Sequence, residues 1–207
     1  MTVTDITELS KAKVKVCMED GSAFALYKNE LKKFHIEKDK ELSKDCYQYL
    51  MEDILPKRAK CRCMNLLKSR DYTECQIRAK LKQGFYPDKV IEDAVAYVSS
   101  YGYIDDARYA NLYIEHTSNT KSRKQIENNL LGKGISKEII EQIYEQYTKE
   151  EDFIEEEDVI KNLLIKKRYN SQNATYKERQ KMIAFLYRRG FSLDQVYKAV
   201  GELYDII

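Results

Sequence analysis

The residues of this sequence that could act in acid–base catalysis are few. Asp105 and Asp106 are adjacent carboxylates, and a carboxylate pair can serve as general acid and general base. Two acidic residues at the start of a predicted helix also cap its free N–H groups and complement its dipole, and we favour this interpretation. The two histidines, His35 and His116, are far apart, and no serine or cysteine is placed for activation by either. The sequence therefore predicts no catalytic residue and a protein that is not an enzyme.

The five cysteines of the chain do not form a metal-binding or redox motif. Cys61 and Cys63 are separated by one residue, which is closer than the C-x-x-C spacing of zinc and thiol–disulfide sites. With two histidines in the whole chain, a zinc site has too few ligands. We predict reduced cysteines in a helical core, no bound metal and no cofactor.

Clusters of basic residues are the feature of the sequence that could bind an anionic partner. Four clusters occur, within 57–62, 121–124, 166–168 and 188–189. Taken singly, each is explained by a solvated helix face or by a helix C-terminus, where cations are favoured, but their recurrence keeps the docking of an anionic partner open. From charge and position, the predicted partner-binding residues are Arg108, Tyr109, Arg123, Lys124, Lys166, Lys167, Arg168, Arg188 and Arg189.

Tyrosine is the dominant aromatic residue, with 17 copies against 6 phenylalanines and no tryptophan. Several tyrosines lie among basic residues, namely Tyr86, Tyr101, Tyr103, Tyr109, Tyr113 and Tyr187. Such a mixture can stack on nucleic-acid bases. The alternative, which we favour, is that tyrosines at helical spacing are half-buried core residues with their hydroxyl groups in water.

The small net charge of +2 conceals an alternation along the chain. The net charge is −2 over residues 1–56, +5 over 57–104, −7 over 105–158 and +6 over 159–207. Blocks of alternating sign predict a banded surface. Such a surface suits docking onto a patterned partner better than uniform coating of nucleic acid.

The elements that must position these residues are predicted to be helices, because two prolines and seven glycines in 207 residues are few for a sheet-rich fold. Three segments repeat one helix–turn–helix pattern: Gln76–Val98, Gln125–Tyr147 and Lys181–Leu203. Offsets of 49 and 56 residues align them. Capping boxes at Thr73-x-x-Gln76 and Ser122-x-x-Gln125 start the first two copies at the same offset.

Each copy contains a glycine where a helix C-terminus needs a left-handed residue: Gly84, Gly134 and Gly190. The residues that start the next helix are Pro87, Ser136 and Ser192. The first copy has one residue fewer between Leu81 and Gly84 than the other copies have at this place. We therefore expect a tighter turn there.

A further helix precedes each pair, so the repeating unit is a three-helix module. The predicted fold class is mostly α: three tandem three-helix repeats forming an elongated, curved array, with a small N-terminal β-hairpin segment. The predicted domains are an N-terminal segment with the hairpin and a helix (1–56) and helical repeats 1 (57–104), 2 (105–150) and 3 (151–207).

The N-terminal segment alternates between apolar and polar residues over Lys13–Met18 and again over Ala23–Tyr27. Asp20 and Gly21 stand at the centre of the connection and predict a type I′ turn. One hairpin is not stable alone, so it must pack on the helices or on a third strand. We expect a helix to follow from near Glu41 or Leu42, with Pro56 ending it or lying in the first turn of the next.

Membrane and export signals are not evident in the sequence. No apolar run approaches the roughly 18 residues that a membrane span needs, and residues 1–10 lack the apolar core of a signal peptide. We expect a cytoplasmic protein that does not associate with membranes and that is a monomer.

The run YGYIDDARYA at Tyr101–Ala110 is very similar to the signature of the RecX family of recombinase regulators. The run FLYRRGF at Phe185–Phe191 resembles the last repeat of the same family. The resemblance extends over Lys57–Leu203 and includes the order of the three repeats. The N-terminal hairpin resembles an extension found in some members only.

This resemblance implies a function. RecX-like proteins bind the RecA recombinase, especially its filament on single-stranded DNA, and restrain filament growth, ATPase, strand exchange and co-protease activity in DNA repair and the SOS response. RecA and its filament are therefore the expected partners. The alternative is a helix-turn-helix protein that binds DNA directly, but the near-neutral net charge and the acidic third block argue against strong binding of that kind.

Overall fold

The computed structural model describes residues 1–147 and 155–201, and within them the protein is mostly helical. Three strands come first, β1 (Val3–Glu8), β2 (Lys13–Met18) and β3 (Ala23–Tyr27). The helices are α1 (Lys28–Lys33), α2 (Lys44–Tyr49), α3 (Leu55–Leu67), α4 (Glu74–Gln83), α5 (Asp88–Ser100), α6 (Asp106–Thr117), α7 (Arg123–Leu131), α8 (Lys137–Tyr147), α9 (Glu156–Lys166), α10 (Tyr176–Tyr187) and α11 (Leu193–Val200). The predicted fold class is confirmed in its mostly α content, its three-helix repeats in tandem and its small N-terminal β segment.

The chain divides into two compact units, Met1–Asp105 and Asp106–Ile207. The first unit contains the sheet and repeat 1 (α3–α5), and the second contains repeats 2 (α6–α8) and 3 (α9–α11). The predicted boundary between residues 150 and 151 lies outside the described residues, as does Leu203, the predicted end of the third copy. Among the helices of the described ranges, none has both the length and the apolar character that a membrane span requires.

The sheet is antiparallel, with the strand order β1-β2-β3. The predicted hairpin is confirmed as β2 and β3, whose alternate residues Val14, Val16 and Phe24 are buried. Sequence reasoning missed β1, whose residues alternate only weakly between apolar and polar types. β1 pairs with β2 and extends the hairpin to three strands, which satisfies the expectation that the hairpin would not stand alone.

The hairpin turn differs from the predicted type. Gly21 has a φ of +81°, but Asp20 does not have the positive φ that a type I′ turn requires. The Asp20 carboxylate instead accepts hydrogen bonds from the backbone N–H (2.9 Å) and the hydroxyl (2.6 Å) of Ser22. These bonds favour a three-residue loop in which only the glycine is left-handed.

The helix before repeat 1 is interrupted rather than ended. It begins after Ser43, whose hydroxyl accepts from the Cys46 N–H, and it continues through the π-helical segment Leu50–Ile54 into α3. Pro56 lies in the first turn of α3, which confirms the second of the two predicted positions. Because proline lacks an N–H group and its ring crowds the preceding turn, a wider π turn at this place accommodates it.

The hydrophobic core of the first unit joins the sheet to repeat 1. Buried side chains of the strands, such as Phe24 and Leu26, belong to the same cluster as Leu55 and Cys63 of α3. The predicted boundary after residue 56 therefore falls within one helix and one continuous core. In the second unit, repeats 2 and 3 each have a separate cluster of buried residues, so the two repeats are held together by other contacts.

The turn of the first repeat corrects two expectations. Gly134 (φ +82°) and Gly190 (φ +87°) are left-handed as predicted, but Gly84 has a φ of −84° and Phe85 takes the left-handed conformation at φ +57°. The Tyr86 N–H donates to the Leu81 carbonyl, as the N–H of residue 135 donates to the carbonyl of residue 130 in repeat 2. The turn is therefore the same length in both copies and is not tighter in the first.

The sheet supplies the contacts that hold Phe85 in this conformation. The Phe85 carbonyl accepts a hydrogen bond from the Ala25 N–H at 3.3 Å, and the Lys15 Nζ lies 4.9 Å from the centroid of the Phe85 ring. A non-glycine residue in the left-handed region costs about 1 kcal/mol or more. Contacts with β2 and β3 offset that cost.

The prediction that the cysteines lie in the helical core is wrong for some of them. Cys61 and Cys75 are exposed, Cys17 and Cys46 are half-buried, and Cys63 is buried. Burial raises the pKa of the Cys63 thiol to about 11. All five thiols are free.

We expect this difference to set the order in which thiols react. At pH 8, a disulfide reagent such as 5,5′-dithiobis(2-nitrobenzoate) is expected to modify Cys61 and Cys75 rapidly in the folded protein. Cys63 is expected to react only after unfolding in guanidinium, because its raised pKa leaves the thiol protonated until well above pH 8 and burial excludes the reagent. The Cys63→Ser variant serves as the control, since its rapid phase should be unchanged. Rapid labelling of Cys63 in the folded protein would contradict the burial.

Candidate partner-binding surfaces

Repeats 2 and 3 meet at a small polar junction between the start of α7 and the turn between α10 and α11. The Ser122 N–H donates to the Arg189 carbonyl and the Gln125 Nε2 donates to the Arg188 carbonyl, each at 3.0 Å. These two bonds satisfy carbonyl groups that the end of α10 leaves without helical partners. We call the set Ser122, Gln125, Arg188, Arg189 and Gly190 the repeat junction.

The repeat junction changes the predicted capping box at the start of α7. The Ser122 hydroxyl accepts from the Gln125 N–H at 3.2 Å, as predicted. The return bond is missing because the Ser122 N–H and the Gln125 side chain both bind repeat 3. At Thr73 the box is complete, with both bonds to Gln76 at 3.2 Å.

Arg189 is used within the second unit. Its Nη1 donates to the Thr120 carbonyl at 3.1 Å, and its Cζ lies 4.4 Å from the centroid of the Phe185 ring. Its carbonyl also accepts from Ser122. Of the predicted partner-binding residues, Arg189 is therefore the one that the structure ties most closely to the junction between repeats.

Glu156, in the first turn of α9, connects the start of α7 in repeat 2 with α11 in repeat 3. Its carboxylate accepts from the Arg123 backbone N–H at 2.7 Å and from the Gln195 Nε2 at 3.0 Å. The Arg123 guanidinium binds the Glu127 carboxylate at 2.7 Å and lies 4.3 Å from the centroid of the Tyr144 ring. Burial, together with the nearby Glu127 carboxylate, raises the pKa of the Tyr144 hydroxyl. Arg123 is thus also held by intramolecular partners.

Two other predicted residues border an open groove of about 470 Å³. Lys124 and Arg188 are exposed, and the ring of Tyr187 beside them is 59% exposed. Phe191, which is buried in the core of repeat 3, forms part of the groove wall. Among the described residues, no carboxylate lies within ion-pair distance of either basic side chain. We call Lys124, Tyr187, Arg188 and Phe191 the junction groove.

The remaining predicted residues lie on other parts of the second unit. Lys166, Lys167 and Arg168 are exposed at the C-terminal end of α9, and Arg168 is left-handed with a φ of +54°. Arg108 is exposed on α6, and Tyr109 stacks on Tyr113 with ring centroids 6.5 Å apart. The nine predicted residues are therefore spread over the helices of repeats 2 and 3. The structure brings Arg123, Lys124, Arg188 and Arg189 close to one junction.

Sequence reasoning left out a basic surface of the first unit. A cleft of about 480 Å³ is bordered by Lys13 of β2, Arg58 and Arg62 of α3, and Lys80 of α4. Tyr27 and Tyr86 also line this cleft. The basic cluster within 57–62 was the available signal, but Lys13 and Lys80 join it only through the fold. We call these six residues the basic cleft.

Three tyrosines form a row near this cleft. The ring centroids of Tyr97 and Tyr101 are 5.0 Å apart, and those of Tyr101 and Tyr103 are 6.0 Å apart with the planes at 22°. The Lys60 Nζ lies 4.6 Å from the Tyr97 ring centroid. We call Tyr97, Tyr101 and Tyr103 the tyrosine row. Our preferred interpretation of half-buried tyrosines fails for Tyr101 and Tyr103, and for Tyr187 in the second unit, since these three side chains are exposed.

The described residues offer no cluster of metal ligands. Over residues 1–147 and 155–201, no three His, Cys, Asp or Glu side chains are grouped so that they could hold a metal ion. Asp106 begins α6, as expected for an acidic residue at a helix start.

Comparison with known proteins matches each repeat to a separate family model. Residues 59–97 match the first three-helix domain of RecX, residues 105–143 the second, and residues 155–200 the third. Together these matches follow the order of the three repeats along the chain.

Relatives match over nearly the whole length. The regulatory protein RecX of Caldanaerobacter subterraneus subsp. tengcongensis is 32% identical over 203 residues, covering 97% of this chain and 99% of the relative. That of Clostridium acetobutylicum is 28% identical over 210 residues, covering 99% and 97%.

Solved structures agree on the fold. A crystal structure of regulatory protein RecX aligns with a TM-score of 0.57 at 24% identity, covering 96% of this chain and 98% of that one. The crystal structure of RecX from Lactobacillus salivarius aligns with a TM-score of 0.56 at 23% identity, covering 71% and 95%. With three domain models matched in order and full-length relatives that are named regulatory proteins, this chain belongs to the RecX family.

Proposed function

We propose that this protein is a non-enzymatic regulator that binds the RecA recombinase and its filament on single-stranded DNA. In this proposal it inhibits filament extension, ATPase, strand exchange and co-protease activity, and so acts in DNA repair and the SOS response. The observation that supports the proposal is the full-length match to regulatory proteins of the RecX family, with all three repeats in order. The proposal assigns the protein no reaction, no cofactor, a cytoplasmic location and a monomeric state.

We assign the direct contacts with RecA to exposed basic residues of the second unit. Lys124 and Arg188 of the junction groove combine two cations with the exposed aromatic ring of Tyr187. Interfaces favour such mixtures, since aromatic and arginine side chains contribute most of the binding energy. The exposed charges at Lys166–Arg168, with Arg108 and Tyr109, are further contacts in this proposal.

Arg123 and Arg189 receive a different role in the proposal. Both guanidinium groups have partners within the second unit, at Glu127 and at the Thr120 carbonyl. A side chain held in this way costs more to redirect toward a partner, because its present hydrogen bonds must be broken. We therefore regard Arg189 as a positioning residue that holds repeat 3 on repeat 2, and Arg123 as a residue whose side chain is held within repeat 2.

The test measures inhibition of RecA. Wild-type protein is expected to reduce the ATPase and strand-exchange activity of RecA on single-stranded DNA at stoichiometric amounts. The double variant Lys124→Glu, Arg188→Glu is expected to raise the half-inhibitory concentration about tenfold, or about 1.4 kcal/mol. The reason is that it replaces two positive charges with negative ones at a contact that, in this proposal, depends on positive charge. The measurement is ATP hydrolysis at low and moderate ionic strength.

The matched control, Lys177→Glu with Lys181→Glu, reverses the charge of two exposed lysines of α10. It changes the net charge by the same amount. We expect less than a twofold effect for this control, because surface charges away from a contact act weakly at moderate salt. Equal effects of the two double variants would overturn the assignment of the junction groove. No change in RecA activity at stoichiometric excess of wild-type protein would overturn the proposed function itself.

A further inference from the structure

The basic cleft of the first unit collects positive charge without any acidic group. Its lining contains four basic side chains, at Lys13, Arg58, Arg62 and Lys80, and no aspartate or glutamate. The lining of the junction groove in the second unit, by contrast, includes a glutamate, Glu156. The residues come from β2, α3 and α4, so the fold concentrates this charge.

Most of this charge is not neutralised within the protein. Arg58 forms an ion pair with Glu30 behind the cleft. In the described part of the chain, Lys13, Arg62 and Lys80 have no carboxylate within ion-pair distance. Like charges gathered around one concave surface repel one another and raise the local positive potential. An anion in the cleft would relieve that repulsion.

The tyrosine row adds planar apolar surface that the core does not use. The side chains of Tyr97, Tyr101 and Tyr103 are 38%, 62% and 45% exposed. Aromatic side chains bury large areas when they pack, so three neighbouring rings left in solvent offer binding surface. Tyr101 and Tyr103 are nearly parallel, at 22°, and a ring arranged in this way presents its face to a further planar group.

The cleft and the tyrosine row share one border on α3. Cys61 of α3 lines the basic cleft. Lys60, the preceding residue, lies over the Tyr97 ring. The surface therefore continues from cations to exposed rings within the first unit.

We propose that the basic cleft and the tyrosine row together bind single-stranded nucleic acid, with phosphates at Lys13, Arg62 and Lys80 and unpaired bases stacked on Tyr101 and Tyr103. Positive grooves beside stacking rings are the general solution for single strands, in which each stacked base contributes about 1–3 kcal/mol. A duplex keeps its bases paired and cannot offer their faces to the rings. An acidic peptide could fill the cleft but has no series of planar faces for the tyrosine row.

This surface goes beyond the proposed function. It contains none of the nine residues predicted for partner binding, it lies in the other unit, and it needs no recombinase. Its test can therefore be made without RecA, and its failure would leave the test of RecA inhibition unaffected.

Because the sequence contains no tryptophan, a single introduced tryptophan reports on its own site by fluorescence. We expect the full-length Tyr101→Trp variant to show quenched tryptophan emission on addition of a 20-residue oligothymidylate, because a stacked base quenches indole fluorescence. The control is Tyr176→Trp, since Tyr176 is similarly exposed, at 63%, but lies in the second unit. Its emission is expected to stay unchanged. Equal responses of the two variants would overturn the proposal.

Binding of a fluorescein-labelled oligothymidylate separates the two parts of the surface. Tyr101→Ala is expected to weaken binding about tenfold at every salt concentration, as the loss of one stacked base predicts. Arg62→Gln with Lys80→Gln is expected to weaken binding and to reduce the slope of log affinity against log salt by about 1.4, since each lost phosphate contact removes about 0.7. Lys177→Gln with Lys181→Gln is the matched control, with neither effect expected.

Competition decides the class of ligand. Unlabelled oligothymidylate should displace the labelled strand, whereas a duplex of equal length and poly-glutamate should compete at least tenfold less well. A duplex that competes equally would overturn the stacking of unpaired bases. Poly-glutamate that competes equally would identify a surface for acidic polypeptides and would also overturn the proposal. Thermal unfolding of each variant, followed by circular dichroism, shows that loss of binding is not loss of fold.

Discussion

Replacing Gly190 with alanine is expected to destabilise the second unit by about 3 kcal/mol, the sum of left-handed strain and overpacking. Gly190 has a φ of +87°. A Cβ at this position would lie 2.5 Å from the Ser122 Oγ and 2.7 Å from the Gln125 Cβ. Neither neighbour can yield easily, because the hydroxyl caps α7 and the Cβ is fixed to the helix backbone. The added methyl group would therefore push repeat 3 away from repeat 2.

This displacement would also break the hydrogen bonds of the repeat junction. The carbonyls of Arg188 and Arg189 would lose their bonds to Gln125 and Ser122, which are 3.0 Å long. Since repeats 2 and 3 have separate hydrophobic clusters, few apolar contacts remain to hold them together. The change is measured as the loss in the free energy of unfolding by chemical denaturation, with circular dichroism as the signal.

Gly201→Ala is the matched control for this prediction. Gly201 lies in the same unit and has a similar φ of +91°, but the nearest atom to an added Cβ is the Ser171 Cβ at 3.5 Å, an ordinary contact. The Gly201 ψ of 126° lies outside the left-handed helical region, so backbone strain of about 1–3 kcal/mol without overpacking is expected there. If both variants lost the same stability, close packing at the repeat junction would be refuted. Under the proposed function, Gly190→Ala should also weaken RecA inhibition more than the control does.

Replacing Arg58 with methionine is expected to cost the first unit about 3 kcal/mol, because it leaves the Glu30 carboxylate buried without its cation. The two side chains are only 18% and 15% exposed. The Arg58 Nη1 also donates to the Ala25 carbonyl at 3.3 Å, and its Cζ lies 4.6 Å from the Tyr27 ring centroid. Arg58 therefore ties α3 to the end of β3 and to α1, and its loss should weaken this contact while the shared hydrophobic core still joins the sheet to repeat 1.

A double-mutant cycle with Glu30→Gln measures the pair itself. The double variant is expected to recover part of the stability lost in Arg58→Met, since the neutral amide no longer needs a cation. Lys57→Met is the control, because Lys57 pairs with Asp53 on the exposed surface, where such pairs contribute about 0–1 kcal/mol. A loss at Arg58 no larger than that at Lys57 would show that the ion pair does not hold the sheet in place.

The correct predictions from sequence concern features that depend on neighbouring residues. The helix start at Thr73 has the predicted capping box, and Ser192 caps α11 as predicted. Gly134 and Gly190 have the predicted left-handed backbone. Each follows from residues within one or two helical turns. β1 was missed because its weak alternation becomes a strand only through pairing with β2.

Where prediction failed, a distant part of the chain had changed the local outcome. Phe85 replaces Gly84 as the left-handed residue because Ala25 and Lys15 of the sheet hold it. Gln125 does not complete its capping box because the Arg188 carbonyl takes its side chain. No rule based on spacing alone could anticipate either contact.

The sequence by itself determined the kinds of residue that could bind a partner, the three helical repeats and the resemblance to the RecX family. The tertiary structure decided which of the basic residues are available. Arg189 was predicted for binding and is held within the repeat junction, whereas Lys13 and Lys80 were not predicted and meet Arg62 in one cleft. The physical reason is that charge and helix period are local properties, whereas the partners of a long side chain are chosen by segments that folding brings from far along the chain.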